Sequence, residues 1–338
     1  MEGNGRANLK KIASELGLSV TTVSRALKDG PEVHPKTIAR VKIAANAAGY
    51  VPNLHGRALR TGQTRTLSAI LPLETRDYLS DLAKLPLIEG MTLAAQESGY
   101  SLSISSTTPD DDPYENLKRV IQAGSADGII ITRMVANDPR PPFLLERHIP
   151  FVAFGRSGSH LNYAYVDIDN EKIAYEAVQM LVAEGCRSIA LQLLTLEDQY
   201  SAMRMAGYSR AMAEAGLEID PRLIGYQEFT MAASERWVGK LLDLPDPMSG
   251  LICANELGLL GALSALRQRN LVPGRDVRIV VRDNTQICRY LSVPLIAHSV
   301  DMVAVGRNLV ESLIHQIERP EMPPQQLVMF GELQRFSF

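Results

Sequence analysis

The 338-residue chain has no stretch of about 18 apolar residues, so no membrane-spanning helix is expected. Its start, MEGNGRANLKK, has no apolar core of the secretory type, which predicts a cytoplasmic protein. Cysteine is scarce: Cys186, Cys253 and Cys288 are far apart and odd in number. They exclude a disulfide framework and a metal-ligand spacing, and read as buried thiols of a reducing compartment. Phosphate-cradling Walker loops, Gly-rich dinucleotide fingerprints and nucleophile elbows are missing too. The six histidines (34, 55, 148, 160, 298 and 315) are scattered. Asp110, Asp111 and Asp112, between Pro109 and Pro113, read as a solvated turn rather than a cation site. No cofactor, metal or catalytic group is therefore expected.

What is present is an ordinary globular composition, 46% hydrophobic and 22% charged, at a length that suits two or three domains. The net charge of −3 hides an asymmetry. Residues 1–65 hold 11 Lys+Arg against 4 Asp+Glu, and the remainder holds 24 against 34. A basic head on an acidic body suggests that the head meets a polyanion; a solvated basic face is the alternative.

The head reads as short helices. Asn8 can cap a helix over 9–16, with Leu9, Ile12, Ala13 and Leu16 on one face. Gly17 ends it, Ser19 caps a second helix over 20–28, and a third spans 35–48. This is a helix-turn-helix pattern, although three such helices could also close a bundle with no ligand. At about 100° per residue, Val23, Ala26 and Leu27 face inward while Thr21 and Arg25 face out. In a DNA-reading helix Arg25 can grip guanine with two hydrogen bonds, Thr21 can reach a base edge, and Ser19, Thr22 and Ser24 suit phosphates. Val20 has two readings, contact with a thymine methyl or a seal on the bundle. Residues 50–66, YVPNLHGRALRTGQTRT, surround a lone Leu59 with Arg57, Arg60 and Arg65. A marginal helix of this kind makes sense if it folds on DNA and wedges Leu59 into the minor groove.

The elements I-A-x-x-x-G-L-S-x-x-T-V-S-R-A-L, G-Y-x-P-N and A-L-R-T-G closely resemble the DNA-binding head of the lactose-repressor (LacI/GalR) family of bacterial regulators. The resemblance implies that Val20, Thr21 and Arg25 read bases. It also implies that a hinge containing Asn53, Arg57, Ala58, Leu59 and Arg60 enters the minor groove.

Past residue 64, β-branched runs alternate with helical stretches. Candidate strands are 66–71, 100–106, 127–132, 151–154, 188–194, 250–253, 277–281 and 295–300; candidate helices are 81–98, 171–184, 202–215, 256–269 and 302–318. This βαβ rhythm predicts two doubly wound parallel-sheet lobes with a ligand cleft at the strand C-termini. It resembles the periplasmic-binding-protein-like effector domain of the same family, in YVDIDNEKIAYEAVQMLVAEG, SAMRMAGYSRAMAEAGL and LICANELGLLGAL among other pieces. The FGR and NDPR stretches are similar to those of α-glucoside-uptake regulators.

The expected organisation is a helix-turn-helix domain at 1–50, a hinge helix and linker at 51–64, and an effector-binding and dimerisation domain at 65–338. Within the last, the first lobe takes 65–162 plus 292–322 and the second 163–291 plus 323–338. By resemblance Arg204, Asn255 and Asp283 contact effector, and their chemistry suits a polyol. A surface role for Arg204 and helix capping by Asn255 and Asp283 are the rival readings. Arg156 stands near where many members carry an aspartate, and either contacts an acidic ligand or pairs with Asp167 or Asp169. Tyr78 and Phe154 can stack on a sugar ring, or belong to the core. The expected function is a homodimeric transcriptional regulator, a repressor, that binds near-palindromic operator DNA under control of a sugar-like effector. The alternative is a sugar-handling enzyme or solute sensor with an appended DNA-binding head. No heptad-bearing tail precedes Phe338, which predicts a dimer rather than a tetramer.

Overall fold

The computed structural model describes residues 9–50, 63–73, 84–108, 110–158, 161–195, 198–228 and 230–337. The chain divides into two units, Met1–Thr64 and Arg65–Phe338.

The first unit contains α1 (Leu9–Leu16), α2 (Val20–Ala26) and α3 (Pro35–Ala47). Gly17 takes a φ of 65°, a left-handed turn residue of the kind that glycine supplies without strain. Ser19 then caps α2, its Oγ accepting from Thr22 N at 3.0 Å. Pro35 occupies the first turn of α3, where its missing N–H costs nothing. Ile12, Ala13, Val23, Ala26, Val33, Val41 and Ala45 close the core. Val20 is 40% exposed and stays outside that core, so the bundle-sealing reading is set aside.

The second unit holds two six-stranded sheets. The first contains β1 (Thr66–Ile70), β2 (Ser101–Ser105), β3 (Gly128–Ile131), β4 (Phe151–Phe154), β5 (Ala164–Ile168) and β11 (Gln326–Met329). Its order is β11-β5-β4-β3-β1-β2, every pair parallel. The second contains β6 (Ile189–Leu193), β7 (Ile224–Tyr226), β8 (Gly250–Cys253), β9 (Arg278–Arg282), β10 (Leu295–Ser299) and β12 (Glu332–Phe336). Its order is β12-β10-β9-β8-β6-β7, with β12 antiparallel to β10. The helices are α4 (Leu85–Glu97), α5 (Pro113–Gln122), α6 (Arg140–Glu146), α7 (Asn170–Ala183), α8 (Gln199–Glu214), α9 (Met231–Leu242), α10 (Glu256–Gln268) and α11 (Met302–Glu318).

The sheet membership moves the expected lobe boundaries. Residues 164–168 pair with β4 and bury Val166 and Ile168 in the first core, so the chain leaves the first lobe one strand later than expected. Residues 295–299 pair with β9, which puts them in the second lobe. The tail is shared, with β11 in the first sheet and β12 in the second. The chain consequently crosses between the lobes at 168–170, 299–302 and 329–332.

Candidate functional sites

In the first unit, the outer face of α2 carries Thr21 and Arg25, both exposed, while Val23 and Ala26 are buried beneath them. Arg25 Nε lies 3.2 Å from Glu32. Ser19 Oγ and Thr22 Oγ1 are 2.8 Å apart at the helix start, where free N–H groups favour anions. Asn53, Arg57, Ala58, Leu59 and Arg60 lie outside the described residues.

In the second unit a cleft of ≈ 280 Å³ opens between the lobes at the C-terminal ends of the strands, where ligands of doubly wound sheets bind. Phe154 and Arg156 from the end of β4 line it, with Arg204 from α8 and Asn255 at the head of α10. Gly155 between the first two takes a φ of 99°, which a side chain rarely adopts, and a Cβ there would meet Met134 Cγ at 3.3 Å. The backbone here is one that suits glycine and not an aspartate. Tyr78 lies outside the described residues.

Arg204 is buried and has only neutral partners. Its Nε donates to Asn170 Oδ1 at 3.2 Å and its Nη1 to the Ala254 carbonyl at 3.0 Å. Its guanidinium lies 5.6 Å from the Tyr200 ring centroid. Burial pushes its pKa down, and the nearby Arg282 adds to the effect. Arg282, at the end of β9, also donates to Asn170 Oδ1, at 3.1 Å, and its Nε donates to Asn284 Oδ1 at 3.1 Å. Burial lowers its pKa as well.

Asn255 both caps and faces the cleft: its Oδ1 accepts from Gly258 N at 2.8 Å, and the residue lines the cavity. Arg156 forms an ion pair with Asp167, Nε to Oδ2 at 2.6 Å, while Asp169 instead caps α7 through Lys172 N. Burial holds the Asp167 carboxyl above the usual range despite the arginine.

Asp283 does not join the site. Its Oδ1 accepts from Ile287 N at 3.1 Å and its Oδ2 from Cys288 N at 3.0 Å. The chain bends at Gln286, φ 60°, into a 3-10 turn over Ile287–Tyr290, and those first N–H groups need an acceptor. These bonds satisfy the capping reading, and Asp283 is not among the residues that line the cleft.

Several cleft residues escaped the sequence reading. Asn170 and Arg282 follow or end strands β5 and β9, the place where a doubly wound sheet presents ligand groups, so their position was a usable signal. Glu256 Oε1 accepts from Asn284 N at 2.5 Å and Thr285 N at 2.9 Å, and burial pushes its carboxyl up. Asp198 joins the lobes: it accepts from Arg133 Nε at 3.3 Å, Thr195 Oγ1 at 2.7 Å and Tyr200 Oη at 3.2 Å. Beside it, Gln199 N donates to the Met134 carbonyl at 3.1 Å. Neither Glu256 nor Asp198 had a local pattern to announce it.

Comparison with known proteins agrees with this architecture. The profile of bacterial regulatory proteins of the lacI family matches residues 8–53, and that of the periplasmic binding protein-like domain matches 178–335. The HTH-type transcriptional regulator AglR of Rhizobium meliloti (strain 1021) is 33% identical over 96% of this chain and 92% of its own. A transcriptional regulator CelR solved in complex with cellobiose is 27% identical, covers 98% of this chain and 100% of its own, and superposes with a TM-score of 0.74. The lac repressor dimer bound to operator shares the fold at 20% identity, with a TM-score of 0.84 over 98% of both chains. A helix-turn-helix head and two parallel-sheet lobes, joined in one chain of this sequence, identify it as a member of the lacI family of bacterial transcriptional regulators.

Proposed function

We propose that this chain is a cytoplasmic, homodimeric repressor whose operator affinity is set by a small carbohydrate-like effector bound between its lobes. The observation that carries the reading is Arg204, a buried guanidinium on the cleft wall whose protein acceptors are all neutral. Burying such a charge is costly unless a ligand completes its hydrogen bonds. Arg204 and Asn255 contact the effector, and Phe154 and Tyr78 stack on its ring. Arg156 acts through Asp167 rather than alone. The CelR–cellobiose complex supports the sugar assignment.

At the output end, Val20, Thr21 and Arg25 read base edges, and Ser19, Thr22 and Ser24 bind phosphates. Asn53, Arg57, Ala58, Leu59 and Arg60 form the minor-groove hinge. Two heads then meet the two halves of a near-palindrome. The protein does not turn over its ligand, and this fits the cleft's two carboxylates, Asp167 and Glu256, each tied to protein donors. The test is thermal-shift screening against sugars and their derivatives, followed by a mobility shift on the protein's own upstream DNA with each hit. A ligand that changes operator binding supports the proposal; chemical conversion of that ligand by the purified protein overturns it.

A further inference from the structure

Two guanidiniums of the cleft converge on one neutral acceptor. Arg204 and Arg282 both donate to Asn170 Oδ1, at 3.2 and 3.1 Å, and among the described residues neither is hydrogen-bonded to a carboxylate. Each keeps its Nη2 without an acceptor among the described residues, and both residues line the cleft. The neighbouring carboxylates are already engaged, Asp167 by Arg156 and Ile168 N, and Glu256 by the backbone of Asn284 and Thr285. Four guanidiniums, Arg133, Arg156, Arg204 and Arg282, line the cleft together with Lys84 and two carboxylates; Arg133 is paired with Asp198 and Arg156 with Asp167, which leaves Arg204 and Arg282 as the guanidiniums without an ion-pair partner among the described residues.

A neutral polyol needs one arginine fork. A second one brings repulsion between two desolvated like charges, which the nearby Glu256 and Asp167 offset only in part. An oxyanion resolves both costs, because planar guanidiniums match carboxylate and phosphate oxygens through short charge-assisted bonds. Arginine stays protonated at neutral pH, so the repulsion is not relieved by losing a proton.

We propose that the effector carries an anionic group, a carboxylate or a phosphate, gripped jointly by Arg204 and Arg282 while Asn170 holds the two side chains in place. This rests on the reading of the cleft as the effector site. Arg282 is then the residue that sets the ligand's charge class, and Asn170, at the first lobe crossing, is a positioning residue.

The test is calorimetric titration of the full chain with glucose, glucuronate, glucose 6-phosphate, inorganic phosphate and cellobiose. At least one of the two anionic sugars binds more than about tenfold tighter than glucose, and whichever is tighter identifies carboxylate or phosphate as the source. Arg282→Met removes that preference and Arg282→Lys keeps part of it, read in each variant as the ratio of anionic-sugar to glucose affinity. Equal binding of the anionic probes by wild type and Arg282→Met overturns the proposal, since the basic head would then account for it. A neutral sugar that outcompetes both anionic ones, and is lost in Arg204→Met, overturns it while leaving the cleft as effector site. If none of the probes binds, both fall.

Discussion

His298 is enclosed on β10, its Nδ1 without a hydrogen-bond partner. It faces Arg204, Arg282 and Lys172, with Glu176 3.9 Å from its Nε2. Burial, helped by those cations, lowers its pKa to about 4. The unfolded chain takes up a proton near pH 6.5 while the folded one refuses it, so stability falls as pH drops from about 6.5 to about 4. The loss attributable to this one group reaches about 3 kcal/mol at the bottom of that window. Urea unfolding at several pH values should show the slope in wild type and a flatter profile in His298→Leu; identical slopes would remove His298 from the account. Asp283 makes a different residue-scale prediction. Asp283→Ala leaves the N–H groups of Ile287 and Cys288 without their acceptor, at a cost of about 1–3 kcal/mol. Effector affinity should hardly change. Lost binding at unchanged stability would restore the family role that its position implies.

Among elements, α4 and α11 of the first lobe approach closely at two glycines. A Cβ added at Gly90 would lie 2.0 Å from the Val303 carbonyl oxygen, and one at Gly306 would lie 2.3 Å from that of Leu87. The helices meet backbone to backbone there, so neither position admits a methyl group. Gly90→Ala should cost about 1–3 kcal/mol by overpacking, read as a lower thermal midpoint; an unchanged midpoint would mean the helices can part cheaply. In the sequence Gly90 is only a glycine inside a helical pattern, and its meaning depends on a partner more than two hundred residues away. The same limit explains which strands were legible. Runs such as 127–132 and 250–253 announce themselves because both faces are apolar. β12, ELQRF, is largely exposed, and β7 is three residues long. β5 carries Asp167 one residue from its end, which looks unsuited to a buried strand until Arg156 is seen beside it. The cleft divides likewise: Arg204 and Asn255 followed from motifs, whereas the Arg204–Asn170–Arg282 convergence joins three separate elements.

For the whole molecule, reading and sensing occupy separate units. Arg25→Ala should abolish preference for operator over random DNA, since a two-bond grip on guanine discriminates by about 1–3 kcal/mol in each half-site. Its exposed pair with Glu32 offers little resistance to rotation toward a base. Effector affinity of that variant should match wild type, and a parallel drop in titration would contradict the division. The three lobe crossings have a mechanical consequence. They leave from β5 and β11 on one side and β10 and β12 on the other, all strands at or next to one edge of their sheets. That edge is a fulcrum, and the lobes can pivot about it without parting. β1, where the chain enters from the head, stands four places from β11, an arm of about 19 Å at the usual strand spacing. A pivot of about 10° would sweep its start through about 3 Å on that arm, so a ligand needs only a slight turn of the lobes to move the attachment point of a DNA reader by the length of a hydrogen bond.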